Sequence, residues 1–334
     1  MLDWLSGAMR LQEPAVLVTV AIAEGSVPRE AGAHMLVSDN ALFDTIGGGH
    51  LEWQATAIAR AMLRDGRTRH LERFALGPSL GQCCGGVAHL LFERIDEDHL
   101  ACLQARRQTD TFRLVALDGP ESMLCDEHGR VLIGAAAPRF DTAAATHVLR
   151  DDAGRRWLVD AIRAPRAHLF LFGAGHVGAA IVRLLGDLPC RVTWVDERDD
   201  LFPDSVPANV RIEATDTPEA VVAGAPSGNS FLVMTHSHAL DQRLAEAILA
   251  RPDDNPGWFG LIGSVTKRRQ FEHRLRARGL DGARIDAMAC PIGVPGITGK
   301  QPAVVALAVV AQLLAVWEAR ACAPATLPVS SERS

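Results

Sequence analysis

The stretch Leu169-Phe-Leu-Phe-Gly173-Ala-Gly175-His176-Val-Gly178 is an apolar strand that runs straight into a G-x-G-x-x-G turn, near the middle of a 334-residue chain. Few short patterns constrain a fold more. The first glycine permits a tight bend, the second lets backbone approach a pyrophosphate, and the third lets the following helix pack on the strand, while the helix N-terminus attracts negative charge. Arg191-Val-Thr-Trp-Val-Asp196 then supplies a second strand with an acid at its tip, 18 residues after Gly178. In dinucleotide folds an acid so placed accepts from a ribose hydroxyl. Strand and helix patterns alternate from there: helix 176–186, strands 191–195, 210–214 and 230–235, helix 239–250, strand 258–262 and helix 266–278. Strict alternation predicts a Rossmann-like, doubly wound parallel sheet covered on both faces. A fold that keeps the turn for packing alone is the alternative to a ligand site, because fold does not settle ligand.

About half the chain precedes this turn, and it reads as a mixed α/β domain. Residues 15–22 are β-branched and long enough for a strand, and 34–38 with 41–46 flank Asp39-Asn40 as a hairpin. Gly47, Gly48 and Gly49 follow. From His50 the apolar residues Leu51, Ala55, Ile58, Ala59 and Met62 recur at helical spacing and predict a helix over 50–64, closing at Gly66. Strands are predicted at 71–76, 87–95, 112–117 and 131–133. We read 1–140 as the first domain, 141–166 as a linker with a helical piece around Trp157, and 167–334 as the dinucleotide-type domain.

Composition excludes some functions. A chain with 48% hydrophobic and 22% charged residues is ordinary for globular domains, and a net charge of −6 offers no basic field for a phosphate backbone. Nucleic acid is not an expected partner. The first ten residues carry Asp3 and lack a basic segment followed by an apolar core, so the expectation is a cytoplasmic chain. The longest apolar run, Ala303 to Trp317, is shorter than the ~20 residues of a membrane span and is read as a buried helix. Seven cysteines without zinc-finger spacing predict no disulfide framework.

Four further clusters can carry chemistry. Cys83 and Cys84 are adjacent in a loop with four glycines, whereas packing cysteines usually sit singly in apolar runs. They are read as exposed thiols that hold a persulfide or ligate a soft metal, or as incidental loop residues. His50 and Glu52 are helix-start residues or ligands. Thr235-His236-Ser-His238-Ala-Leu-Asp241 follows a strand, where doubly wound sheets bind ligands; the histidines contact a ligand, hold a metal, or cap the next helix. Gly263, Ser264 and Lys267, with Arg268 and Arg269, suit a phosphate or form a solvated basic helix face. Thr298-Gly-Lys300 is not a phosphate-binding P-loop, since Gln301 follows the lysine.

Seven motifs taken in order resemble the XdhC/CoxI family, accessory proteins of xanthine dehydrogenase and related molybdenum hydroxylases. They are Gly25-Ser-Val-Pro-Arg29 with Gly32, Ile46-Gly-Gly-Gly-His-Leu-Glu52, Leu80-Gly-Gln-Cys-Cys-Gly-Gly86, Phe172-Gly-Ala-Gly-His-Val-Gly178, Thr235 to Asp241, Gly260-Leu-Ile-Gly-Ser264 and Cys290-Pro-Ile-Gly293. The chain departs from the family pattern at Ser237, where an acid is usual, and at Val265 and Thr266, where basic residues are usual. The resemblance implies a maturation factor rather than a dehydrogenase. It would bind molybdenum cofactor, protect it while a cysteine desulfurase provides the terminal sulfur, and deliver it to the molybdenum subunit of apo-xanthine dehydrogenase.

Joined to the residue reading, it makes Gly47, Gly48, Gly49, His50, Gly173, Gly175, His176, Gly178, Asp196, His236, His238, Gly263, Ser264 and Lys267 candidate cofactor contacts. Cys83 and Cys84 are the candidate molybdenum contacts. A homodimer would suit a carrier that shields a labile cargo. The competing reading is an NAD(P)-dependent oxidoreductase, which draws on the glycine fingerprint and Asp196. Against it, the chain has no tyrosine and so no Tyr-x-x-x-Lys pair. A sulfur-relay module with a vestigial nucleotide fold is a third.

Overall fold

The computed structural model describes residues 3–11, 13–77, 85–94, 96–251 and 257–321. The chain divides into two compact units, Met1–Ala164 and Pro165–Ser334.

The first unit begins with helix α1 (Trp4–Arg10), strands β1 (Val16–Glu24), β2 (His34–Val37) and β3 (Leu42–Asp44), and helix α2 (Gly49–Asp65). It continues with β4 (Arg69–Ala75), β5 (Val87–Glu93), helix α3 (Glu97–Ala105), β6 (Thr111–Ala116), β7 (Ser122–Cys125), β8 (Val131–Ile133), β9 (His147–Arg150) and β10 (Arg156–Ile162). Two five-stranded sheets result, ordered β3-β2-β1-β5-β4 and β8-β7-β6-β10-β9. Every recorded pairing in them is antiparallel. Alternate residues of a strand point to opposite faces, and both faces of the first sheet are covered. Val16, Val18 and Val20 pack with Leu51, Ala55, Ala59 and Met62 of α2. Leu17 joins Trp4, Leu103 and Leu124, while Ala21 and Leu91 meet Val115 and Leu158 of the second sheet.

Charges are buried between these sheets. Arg113 on β6 donates to Glu93 on β5 at 2.5 Å and to Asp160 on β10 at 3.0 Å, and His34 on β2 lies 2.9 Å from Asp160. Burial works against the Asp160 charge, yet His34, Arg113 and Thr146 hold its carboxyl below the ordinary carboxylate range. Removing one member of such a network strands a buried charge, at a cost of about 3–5 kcal/mol.

The connecting segment expected over 141–166 is corrected here. Trp157 lies in strand β10, not in a helix, and β10 pairs with β6 and β9. Trp157 and Val159 face one core cluster and Leu158 another, so the segment belongs to the second sheet of the first unit.

The second unit runs β11 (Ala167–Phe172), α4 (His176–Leu185), β12 (Cys190–Asp196), β13 (Val210–Ala214), α5 (Pro218–Gly224), β14 (Ser230–Val233) and α6 (His238–Leu249). β15 (Trp258–Leu261), α7 (Val265–Ala277), α8 (Gly282–Asp286) and α9 (Pro302–Ala321) complete it. Its sheet has the order β13-β12-β11-β14-β15 and is parallel throughout. That is the Rossmann-like sheet expected from the alternation. Phe170, Phe172 and Phe231 pack with Leu244, Ile248, Phe271 and Leu275 on one face. Leu169, Leu171 and Trp194 pack with Ile181, Leu185, Val309 and Leu313 on the other. Helix α9 is longer than the run read from sequence, and its length and composition match those of a membrane-crossing helix. One side of it is buried through Ala306, Val309, Val310 and Leu313, while Leu307 on another is 56% exposed.

His168 starts β11 and lies 2.9 Å from the Thr193 hydroxyl. Burial, aided by Arg191, pushes its pKa down from 6.5 to about 4. Between those values the unfolded chain binds the proton and the folded chain does not, so stability falls as pH drops from about 6.5 towards 4. Urea unfolding of His168→Gln should therefore lose less stability between pH 7 and pH 4.5 than the parent does. Parallel losses would contradict this.

Candidate functional site

The strand order of the second unit reverses between β11 and β14, and doubly wound sheets bind ligands outside the carboxyl ends of their strands at such a point. The glycine turn lies there. Gly173 has φ +123°, and a Cβ on it would stand 2.4 Å from the Met234 carbonyl oxygen, so the turn presses against the end of β14. A Cβ on Gly178 would stand 2.2 Å from the Gly173 carbonyl oxygen, which is the close helix-to-strand approach that the third glycine permits. Trp194 Nε1 donates to that same carbonyl at 3.0 Å. Gly175 has open space around its Cβ position. It caps α4 with no side-chain hydrogen bond, and His176 beside it is exposed. The first backbone N–H groups of a ten-residue helix thus face outward beside a turn with room for a ligand.

Asp196 takes a different role from the one expected. Its side chain is 3% exposed and accepts from the Ala174 N–H at 2.7 Å, from the Arg198 N–H at 3.1 Å, and from Arg198 Nε and a terminal nitrogen at 2.9 and 3.0 Å. Although burial opposes it, Arg198 and the Ala174 N–H hold the carboxyl below the ordinary carboxylate range. It braces the glycine turn instead of waiting for a ribose. The acid that does face outward is its neighbour Glu197, 3.4 Å from His236 Nε2. Phe172, Asp196, Glu197, Thr235 and His236 share one shallow recess, so the ends of β11, β12 and β14 converge. Glu197 was legible only as the residue after the motif acid.

The loop after β14 and the turn after β15 are tied by a buried ion pair. Asp241 accepts from the Thr235 N–H at 3.0 Å, from the Thr235 hydroxyl at 2.7 Å, and from Lys267 Nζ at 2.7 Å. Lys267 also donates to the Ile262 carbonyl at 2.7 Å. The expectation of Lys267 as a phosphate ligand is corrected: its side chain is 13% exposed and its ammonium is committed to Asp241. Gly263 lets that side chain lie flat, since a Cβ there would stand 2.6 Å from Lys267 Cδ. Ser264 and Ser237 cap α7 and α6, each accepting the N–H three residues on at 3.3 Å. His238 is the exposed first residue of α6. Among the described residues no three His, Cys, Asp or Glu side chains gather as a metal site.

In the first unit residues 25–29, the triple glycine and Gly86 meet at one end of the first sheet. Gly47, Gly48 and Gly49 all have positive φ, and a Cβ on Gly47 would stand 2.3 Å from Pro28 Cβ. Arg29 donates to the Thr45 carbonyl at 3.2 Å. Gly86 donates to the Ser26 carbonyl at 3.1 Å and accepts from the Leu76 N–H at 2.8 Å. Residues 25–29, the glycine turn and Gly86 are therefore fixed against each other. Glu52 is a helix-start residue: it accepts from Thr45 Oγ1 at 2.5 Å and from the Ile46 and Gly48 N–H groups at 3.2 and 3.1 Å. His50 is exposed, 3.0 Å from Gln54 and stacked on Trp53 with ring centres 5.3 Å apart. Cys83 and Cys84 lie outside the described residues.

Residues 169–313 match the family model described as the XdhC Rossmann domain, and residues 8–75 match the XdhC and CoxI family. The chain belongs to the XdhC family. It is 24% identical over 286 residues, 80% of this chain and 84% of the relative, to a probable xanthine dehydrogenase subunit of Bacillus subtilis. It is also 24% identical over 314 residues to the uncharacterized protein YqeB of Escherichia coli, covering 92% of this chain but 45% of that protein. A crystal structure of a xanthine dehydrogenase from Bacillus halodurans shares the fold, with a TM-score of 0.72 at 20% identity and 97% of each chain covered.

Three described cysteines of this XdhC chain are poor nucleophiles. Burial pushes the thiols of Cys125 and Cys190 up to about 11 and raises that of Cys290, the last partly offset by Lys267 and Arg268.

The glycines of the XdhC Rossmann domain divide by role. Gly178→Ala should cost about 1–3 kcal/mol in urea unfolding, as overpacking does. Gly175→Ala, with φ −73° and open surroundings, should stay within about 0.5 kcal/mol. Equal losses would contradict the packing role of Gly178.

Proposed function

We propose that this chain is an accessory protein of xanthine dehydrogenase that binds molybdenum cofactor as cargo, supports its sulfuration and passes it to the apoenzyme. The observation that carries this reading is the open glycine turn and uncapped N-terminus of α4 at the switch point of an XdhC Rossmann domain. The name of the Bacillus subtilis relative supports the connection with xanthine dehydrogenase. The cargo is a pterin dithiolene with a phosphate tail, often extended by a nucleotide, so one end of it is strongly anionic.

Gly173, Gly175 and Gly178 are assigned that anionic end, because outward backbone N–H groups at a helix start attract phosphate without a bound cation. His176, His236, His238 and Ser264 are assigned to the rim, where exposed imidazoles and a hydroxyl can donate to the cargo. Gly47, Gly48, Gly49 and His50 are assigned a supporting role in cofactor contact. Cys83 and Cys84 are assigned the thiol chemistry, as candidate molybdenum contacts, and the raised pKa values of the buried thiols Cys125, Cys190 and Cys290 favour them. The partners are the molybdenum subunit of xanthine dehydrogenase and a cysteine desulfurase, with the carrier as a homodimer.

An oxidoreductase using NAD(P) draws less support, since Asp196 already accepts from Ala174 and Arg198.

The test is reconstitution of apo-xanthine dehydrogenase with purified cofactor, desulfurase and this chain. Added chain should raise the activity recovered above that from cofactor and desulfurase alone, and the Cys83→Ala/Cys84→Ala double variant should lose the gain. Equal recovery without the chain would overturn the accessory role. A fully active double variant would overturn the thiol assignment.

A further inference from the structure

The first unit holds a polar cavity of about 160 Å³ at the Arg69–Glu93 end of the β4–β5 pair. Arg69, Glu93, Arg94, Asp96, His99 and Arg113 line it, with the hydroxyl residues Thr68 and Ser122. At the ~30 Å³ that a water occupies in the liquid, it holds about five waters or one small polyatomic ion.

The pairing of its charges leaves several polar groups unclaimed. Glu93 is satisfied by Arg69 at 3.0 Å and by Arg113 at 2.5 Å. Arg113 continues to Asp160, which His34 also serves. Three carbonyls, those of Ala116, Gly119 and Glu121, take one terminal nitrogen of Arg69, while its Nε has no partner. Asp96 caps α3 through the His99 N–H at 2.8 Å and holds His99 Nδ1 at 2.5 Å. That leaves Nε2 of His99, a residue only 8% exposed, with no partner among the described residues. Arg94 is exposed, and its guanidinium has no acceptor among the described residues. Its backbone is pinned by an N–H bond to the Thr68 carbonyl at 2.9 Å.

Both carboxylates are thus spent on neighbours, while a guanidinium, a buried imidazole nitrogen, an arginine Nε and two hydroxyls are not. The planar fork of arginine matches the paired oxygens of an oxyanion, and His99 Nε2, the ring nitrogen left over when Nδ1–H donates to Asp96, offers an acceptor from the wall for the hydroxyl proton of a hydrogen phosphate. We infer that this cavity binds a tetrahedral oxyanion, either free phosphate or the terminal phosphate of an ester, held chiefly by Arg94 and His99.

Isothermal titration of the full chain with inorganic phosphate and with phenyl phosphate, at matched ionic strength against potassium chloride, tests this. Saturable binding of phosphate alone supports a free oxyanion as ligand, and binding of both supports the end of an ester. Hydrogen bonds to charged groups are strong enough that Arg94→Gln and His99→Gln should each weaken binding about tenfold. Arg94 is exposed, so its variant keeps the experiment decisive if the His99 variant fails to fold. Two results overturn the inference: no saturable binding beyond the chloride control, or phosphate binding of parental affinity in Arg94→Gln. The second result would assign the phosphate to another site, such as the glycine turn of the second unit, and would leave the proposed function untouched.

Discussion

The second unit depends on a backbone approach that only glycine allows, where the start of α4 packs onto the end of β11 with Gly178 against the Gly173 carbonyl. Everything at the switch point follows from it. Because the helix comes this close, its first N–H groups open beside β14, and because Asp196 takes the Ala174 N–H, the bend is held without a ligand. Preorganisation of that kind lowers the ordering cost of binding. The Asp241–Lys267 pair extends the same rigidity to the ends of β14 and β15. Two charged residues that resemble ligands in sequence are thereby spent on shape, and the surfaces left for a ligand are backbone donors, histidines and a serine.

The first unit uses the same division of labour. Its buried polar network, Glu93, Arg113, Asp160 and His34, bridges two sheets, while Glu52 folds back to satisfy the turn before α2. The groups left unpaired are therefore informative. Arg94 and His99 Nε2 stand out only once their neighbours' partners are known.

Periodicity made most elements legible, since both β1 and the parallel strands bury one or both faces and carry apolar side chains accordingly. The β10 strand was not, because Asp160 occupies a position where a buried strand normally shows an apolar residue; its partner Arg113 lies 47 residues away in sequence. Short helices α5 and α8 lack a full apolar stripe. Motif spacing located the glycine turn, the His236 loop and the Ser264 turn correctly at strand ends. It could not reveal that Asp196 and Lys267 face inward, because the residues that claim them, Arg198 and Asp241, are recognisable as partners only in three dimensions. Glu197 escaped for the same reason.

The proposed function makes the open glycine turn of the XdhC Rossmann domain a seat for molybdenum cofactor and not for a nicotinamide. The most direct measurement is to purify the chain from a host that makes the cofactor and to assay it for pterin fluorescence and molybdenum. Pterin and molybdenum should co-purify in proportion to the protein. Protein free of both, or carrying tightly bound NAD(H) that turns over, would contradict the account.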